Sequence, residues 1–202
     1  MPRTVAEGFG QFRSNLEITD LQEATASERQ TRIREVLEGH LHVLDIFLTG
    51  SYRRNTLIGP LAEADIDVFV VLGSRYYAPA GQQQLLERVR AALRKTYTRT
   101  GRIRPDGQAV TVKFADFKMD VVPGFRRKGG GFLIPDADTR SWISTDPKEH
   151  VEIWAAANRA HDGKLVPLIK MMTAWNRPRK VLRSFHLETL TLTALEDVTI
   201  SN

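Results

Sequence analysis

Apolar positions fall into two rhythms along this chain. Val5, Phe9, Phe12 and Leu16 recur at three- and four-residue steps, the spacing of one helix face. A second helix is predicted from about Asp20 to Gly39, with Asp20 as N-cap, Glu23 three residues on and Gly39 as the stop. The rhythm then changes. His42 to Leu48 is rich in β-branched and aromatic residues and ends at Thr49-Gly50-Ser51, which predicts a strand. Asp65 to Leu72 predicts a second strand, apolar enough at its far end to be buried on both faces. Leu85, Leu86, Val89, Ala92 and Leu93 place a helix over Gln82 to Tyr97. Ala109 to Phe114 and Phe117 to Val122 read as two strands of a hairpin, parted only by Ala115-Asp116. Pro123-Gly124 predicts the end of the second strand, and the basic, glycine-rich run Arg126 to Gly131 predicts a loop. After Pro135 the chain reads as helical. Asp146-Pro147 is an N-cap followed by proline at the first helical position, and helices are expected over Lys148 to His161, Leu165 to Trp175 and Ser184 to Leu195.

This order predicts an α+β fold: a mixed sheet flanked by helices, then a C-terminal helical lobe. The expected division is a catalytic core with N-terminal helices over residues 1–140 and a helical lobe over residues 141–202. A lobe of three helices that stops so close to the end reads as partial. Internal repeats and low-complexity segments are absent.

At 202 residues and 42% hydrophobic, the chain can build one core and is not disordered by composition. With no cysteine, disulfides, thiolate zinc sites and a cysteine nucleophile are excluded. The longest apolar run, Val68 to Leu72, is far short of the ~20 residues that span a bilayer. The first residues lack an apolar signal core, so a cytoplasmic chain is expected, with no membrane partner. The net charge of +5 favours an anionic partner without separating nucleic acid from nucleotides.

Three carboxylates carry the chemistry. Asp65 and Asp67, two apart on a predicted strand, point to one face. Asp120 sits on another strand, and sheet pairing would gather all three. Acids at the ends of apolar strands are costly unless neutralised, and converging carboxylates favour Mg²⁺ or Mn²⁺ over zinc. Asp106 and Asp116, by contrast, lie in predicted turns. Gly50-Ser51 follows a strand and opens a helix, so its backbone N–H groups and hydroxyl can hold phosphate oxygens.

Gly50-Ser51-Tyr52-Arg53-Arg54-Asn55-Thr56, Asp65-Ile66-Asp67-Val68 and Met119-Asp120-Val121-Val122-Pro123 together resemble the polymerase-β nucleotidyltransferase superfamily. More narrowly, the chain is similar to the bacterial CD-NTases, relatives of cyclic GMP-AMP synthase and oligoadenylate synthase. Trp142 to Pro147, Leu168-Ile169-Lys170, Trp175-Asn176 and Ser184-Phe185-His186-Leu187-Glu188 fit the same family. The resemblance implies that Asp65 and Asp67 ligate both of two Mg²⁺ ions and that Asp120 ligates the one that activates the attacking hydroxyl. It also implies that Gly50 and Ser51 hold the donor β- and γ-phosphates, that Lys170 and Ser184 contact the triphosphate, and that Phe185 stacks on a base. The implied activity is synthesis of a cyclic or linear oligonucleotide messenger from NTPs, ATP among them, in antiphage (CBASS) signalling. A nucleic-acid or protein activator and a separate effector are the implied partners.

Two rival readings share these residues: transfer to a tRNA, protein or small-molecule acceptor, and an inactive nucleotide- or nucleic-acid-binding module. The basic stretch of Arg88, Arg90, Arg94, Lys95, Arg99, Arg102 and Arg104 motivates the second and is otherwise a solvated face. Arg126-Arg127-Lys128 is a smaller candidate of the same kind, and neither stretch is interleaved with stacking aromatics. The five histidines lack metal-ligand spacing, and a Walker loop is missing.

Overall fold

The computed structural model describes residues 4–98, 100, 102–198 and 200. Arg99 of the basic stretch lies outside the described residues. Helix α1 (Val5–Leu16) starts at a capping box between Thr4 and Glu7. Helix α2 (Asp20–Glu38) is capped by Thr19 with Gln22, so Asp20 is the first helical residue and not the cap. Strand β1 (Val43–Thr49) runs straight into the short helix α3 (Gly50–Arg53). Strand β2 (Asp65–Leu72) and helix α4 (Gln82–Thr96) follow as the pattern predicts.

Strands β3 (Ile103–Asp106), β4 (Ala109–Lys113) and β5 (Lys118–Arg126) complete the main sheet in the order β1-β2-β5-β4-β3. Among the described residues only β2 and β5 run parallel; the other pairs are antiparallel. The β4–β5 hairpin forms as expected, with Lys113 opposite Lys118. Strand β5 does not end at Pro123-Gly124. Its antiparallel partner changes there, from β4 up to Val121 to a further strand from Phe125 onward. Proline lacks an N–H, and here it sits where one edge of β5 has no partner to receive one. Gly124 is required by packing, since a Cβ would lie 2.8 Å from the Phe69 ring.

The stretch after Pro135 is not helical either. Strands β6 (Phe132–Asp136) and β7 (Ser141–Thr145) form a hairpin that extends the sheet from the end of β5. Residue 140 lies in its turn, so β7, assigned by sequence to the helical portion, pairs with the sheet. Helices α5 (Pro147–Ala160), α6 (Leu165–Asn176) and α7 (Ser184–Ala194) follow. Asp146 caps α5, accepting from the N–H groups of Lys148 and Glu149.

The core lies on one face of the sheet. Ile66, Val68 and Val70 of β2 join Val110, Val112, Met119 and Val121 against Ile33 and Leu37 of α2 and Leu86 and Val89 of α4. The opposite face carries Phe47, Phe69 and Phe132 at one end and the carboxylates at the other. Alternation along β2 makes this division: even-numbered residues enter the core, odd-numbered ones face the other way.

Candidate active site

Strand register places the acids. Across the sheet, Thr49 lies beside Asp67, Asp67 beside Asp120, Asp120 beside Thr111, and Thr111 beside Arg104. Two residues earlier on β2, Asp65 lies beside Lys118. Asp67 and Asp120 are therefore direct neighbours on one face, both half-buried. Asp65 is turned to Lys118, whose ammonium is 2.9 Å from its carboxylate. All three acids line one cleft, but only Asp67 and Asp120 are direct cross-strand neighbours. The third is held by an ion pair that register creates and that spacing along one strand could not reveal. Among the described residues, no group of three or more His, Cys, Asp or Glu side chains converges closely enough to be a ready-made ion site.

The electrostatics follow from this arrangement. Burial, then the Asp120 and Asp65 carboxylates, push Asp67 up to about 7. Burial also raises Asp120, although the Thr111 hydroxyl donates to it at 2.6 Å and works the other way. Burial disfavours the Lys118 ammonium, but the Asp65 carboxylate outweighs it, so its pKa lies above the usual value. Among the described residues Asp67 and Asp120 make no ion pair, and the two cations that act on Asp67, Arg54 and Lys118, are paired with Glu188 and Asp65, which leaves a surplus of carboxylate. An all-oxygen donor set with that surplus fits a hard divalent cation.

The glycine-serine step packs directly on this pair. Gly50 has φ +64°, and a Cβ there would lie 1.9 Å from Asp67 Oδ2. Only glycine combines that backbone with so close an approach. Ser51 O accepts from the N–H groups of Thr56 and Leu57, which closes the turn after α3.

A cleft of about 400 Å³ opens over the acids, walled by Ser51, Thr56, Asp65, Asp67 and Asp120 on one side and by the α6–α7 segment on the other. Ser184 and Phe185 line it. Lys170 is not among the residues that line it. Its side chain is buried and its ammonium is 2.5 Å from Glu17, because α6 turns that position toward the end of α1. The cations that do line the cleft are Arg54, Arg177, Lys180 and Arg183.

Sequence reasoning missed two of these as structural ties. Arg54 makes a two-pronged ion pair with Glu188 of α7 at 2.9 and 3.2 Å, and the Thr56 hydroxyl donates to the same carboxylate. The Arg54 guanidinium also lies over the Trp154 and Phe185 rings, which stack 5.8 Å apart. Arg177 donates to the carbonyls of Ile58 and Gly59. The available signal was Glu188 itself, the single acid in the apolar helix α7. Lys180 and Arg183 make no ion pair among the described residues, so they are the cleft's uncommitted positive charge.

Comparison with known proteins identifies the family and the fold. Residues 3–158 match the Second Messenger Oligonucleotide or Dinucleotide Synthetase domain. A cyclic AMP-AMP-AMP synthase of an Acinetobacter species is 30% identical over 184 residues, 86% of this chain and 52% of that protein. The chain thus spans about half the length of that relative. Two solved CD-NTases share the fold. CdnG of Bradyrhizobium diazoefficiens, solved with GTP, superimposes with a TM-score of 0.78 over 98% of this chain and 73% of its own, at 15% identity. Escherichia coli CdnC, solved in a complex with a HORMA protein, gives 0.72 over 95% and 64%, at 20% identity. Among the described residues, no helix is long and apolar enough to cross a membrane.

Proposed function

This chain belongs to the Second Messenger Oligonucleotide or Dinucleotide Synthetase family, and from that premise we propose that it performs nucleotidyl transfer between NTPs. A ribose hydroxyl attacks the α-phosphate of a donor NTP, a phosphodiester forms and pyrophosphate leaves. Repetition yields a cyclic or linear oligonucleotide messenger, with ATP the favoured substrate by likeness to the Acinetobacter synthase. The observation that carries the reading is the Asp67–Asp120 neighbour pair with the Gly50 turn pressed against it.

The chain's own groups divide the work. Backbone N–H groups at Gly50 and Ser51, with the Ser51 hydroxyl, hold the donor β- and γ-phosphates beside the acids. Lys180 and Arg183 offset triphosphate charge from the α6–α7 side, and Ser184 adds a hydroxyl. The Phe185 ring, half-exposed and held by Trp154 and the Arg54 guanidinium, offers its exposed part to a base. Thr111 fixes one oxygen of Asp120 and so orients the carboxylate toward the acceptor hydroxyl. Asp67 and Asp120, joined by Asp65 when Lys118 releases it, would hold two Mg²⁺ or Mn²⁺ ions, which when bound supply Lewis acidity at the hydroxyl and charge compensation at the leaving group. A protein regulator, as in the E. coli CdnC complex, and a downstream effector of antiphage signalling belong to the same proposal.

Incubation with four radiolabelled NTPs and Mg²⁺, then Mn²⁺, followed by phosphatase, tests the reading. The expected result is a phosphatase-resistant oligonucleotide that Asp67→Asn and Asp120→Asn abolish. Product retained in both variants overturns the assignment of the acids. Label transferred only to an added non-nucleotide acceptor overturns the messenger.

A further inference from the structure

The link between α6 and α7, residues 177–183, carries four cations in seven residues: Arg177, Arg179, Lys180 and Arg183. Like charges so close repel, and left alone they would spread the segment into water. Two of the four are tied down. Arg177 donates to the Ile58 and Gly59 carbonyls. Arg179 donates to the Trp175 carbonyl at 2.7 Å, with its guanidinium 4.9 Å from the centre of the Trp175 ring. Lys180 and Arg183 line the cleft with no ion pair among the described residues.

The course of the link is set by Asn176, the last residue of α6, which is 4% exposed. Its backbone carbonyl accepts from the N–H groups of Arg179 and Lys180 at 3.0 and 2.7 Å. Its side-chain oxygen accepts from the N–H groups of Val181 and Leu182, both at 3.1 Å. Its amide nitrogen donates to the Leu182 carbonyl at 2.7 Å. Each residue from 179 to 182 is thus hydrogen-bonded to Asn176. We propose that Asn176 is the positioning residue of this cationic link: it fixes where Lys180 and Arg183 stand and so sets the preference for a nucleoside triphosphate over its monophosphate. The inference rests on the transfer reading for the ligand.

The residue type fits the task. A carboxamide has the inventory of a peptide group, an oxygen for two donors and an N–H for a carbonyl. It therefore stands in for the helical partners that the chain loses where α6 ends and Pro178 bars its continuation. Lys180 has φ +51°, a left-handed backbone that a lysine does not favour, and the bonds of its own N–H and of the next two residues hold it there. Aspartate at 176 would accept the two N–H bonds but not donate the third. Alanine would leave all three groups to water, and the link with them. Both polar atoms of the Asn176 side chain serve the link, so the residue acts on substrate through Lys180 and Arg183. Cations already in place need not be ordered when a ligand arrives, which appears as affinity. That gain is confined to ligands whose outer phosphates reach the link.

Titration calorimetry of α,β-methylene-ATP and of AMP, both with Mg²⁺, tests the proposal. The proteins are the parent, Asn176→Ala, Lys180→Gln/Arg183→Gln and the combination of all three changes. Asn176→Ala is expected to bind the triphosphate about tenfold more weakly and AMP within about twofold of the parent. Adding it to the Lys180/Arg183 variant is expected to cost nothing more. Unchanged triphosphate affinity in Asn176→Ala overturns the proposal. Equal losses for both ligands, or a further loss in the combined variant, reduce Asn176 to a structural role and overturn it too. Amide hydrogen exchange of the ligand-free protein reads the link directly. Val181 and Leu182 are expected to be protected in the parent and in Asn176→Asp, which keeps both accepted bonds, and to exchange freely in Asn176→Ala. Free exchange in the parent or in Asn176→Asp overturns the proposal, whether or not Asn176→Ala folds. Labelled-NTP turnover separates the two readings. Product from a parent whose triphosphate affinity does not depend on Asn176 sinks this inference alone. Asn176-dependent triphosphate binding without product sinks the transfer reading alone.

Discussion

Two groups of charge are taken out of water in this protein, and they are treated in opposite ways. At the seam between α7 and the turn after α3, Glu188 and Arg54 are 2% and 7% exposed and fully matched: two prongs to the guanidinium, a hydroxyl from Thr56 and two aromatic rings against the cation. On the sheet face a few residues away, Asp67 and Asp120 are set side by side with one hydroxyl between them and the surrounding charge. Charge that only joins parts is neutralised internally. Carboxylates without an ion-pair partner have their pKa raised, here by burial first, and these two lie under the cleft.

The largest expected effect comes from breaking the matched pair. Glu188→Ala leaves a buried guanidinium without its partner and should cost about 3–5 kcal/mol in urea denaturation. Glu188→Met with Arg54→Met removes both charges and should recover most of that loss. A double variant as unstable as the single one would show that packing, not charge matching, holds the seam.

Next comes the contact between the turn and the acid. Gly50→Ala adds a methyl in a left-handed conformation against Asp67, and about 1–3 kcal/mol is expected to be lost. Shortening the acid with Asp67→Gly should relieve the clash, so the two changes should be markedly non-additive in a double-mutant cycle.

Removing the unmatched charge should work the other way. Asp67 is raised from 3.8 to about 7 in the folded chain, so between those values the folded state holds the extra proton. Stability of the metal-free protein therefore falls as pH rises through that window and levels off above it. Asp67→Asn should be the more stable form at pH 8, by about 1–3 kcal/mol, and its advantage should fade toward pH 4 while nucleotidyl transfer is lost at every pH. Thermal melts in EDTA at several pH values measure this. An advantage that grows in acid would reverse the sign of the argument.

The smallest effect belongs to the surface pair Arg29–Asp116. The Arg29 side chain, by hydrogen bonding, holds Asp116 below its usual value, so its contribution is present above the unfolded pKa and lost as pH falls through the folded one. Asp116 is half-exposed, and Asp116→Asn should cost no more than about 1 kcal/mol at neutral pH and nothing in strong acid.

Much of this contrast was legible in the residues themselves. Period-2 alternation put Asp65 and Asp67 on the non-core face of β2, and turn chemistry marked Gly50 as a special position. The misreadings were of two kinds. Pro123 and Pro135 read as strand and sheet terminators, although β5 tolerates Pro123 where its partner strand changes and β6 carries Pro135 along a hairpin. The other kind concerned direction. Lys170 on an apolar helix has several faces it could take, and its partner Glu17 is 153 residues away. The tie from Arg54 to Glu188 spans 134 residues.

The sequence by itself determined most of the local structure and the chemical inventory: the helices and the strands β1, β2 and β4, which acids of β2 share a face, where only glycine fits. Those follow from side-chain periodicity and backbone sterics, which act over a few residues. Tertiary structure alone decided the charge balance. Parallel pairing of β2 with β5 put Asp67 against Asp120 and gave Asp65 to Lys118, and helix docking sent Lys170 away from the cleft while leaving Lys180 and Arg183 beside it. Electrostatic energy depends on distance through space and on burial, and neither can be counted along the chain.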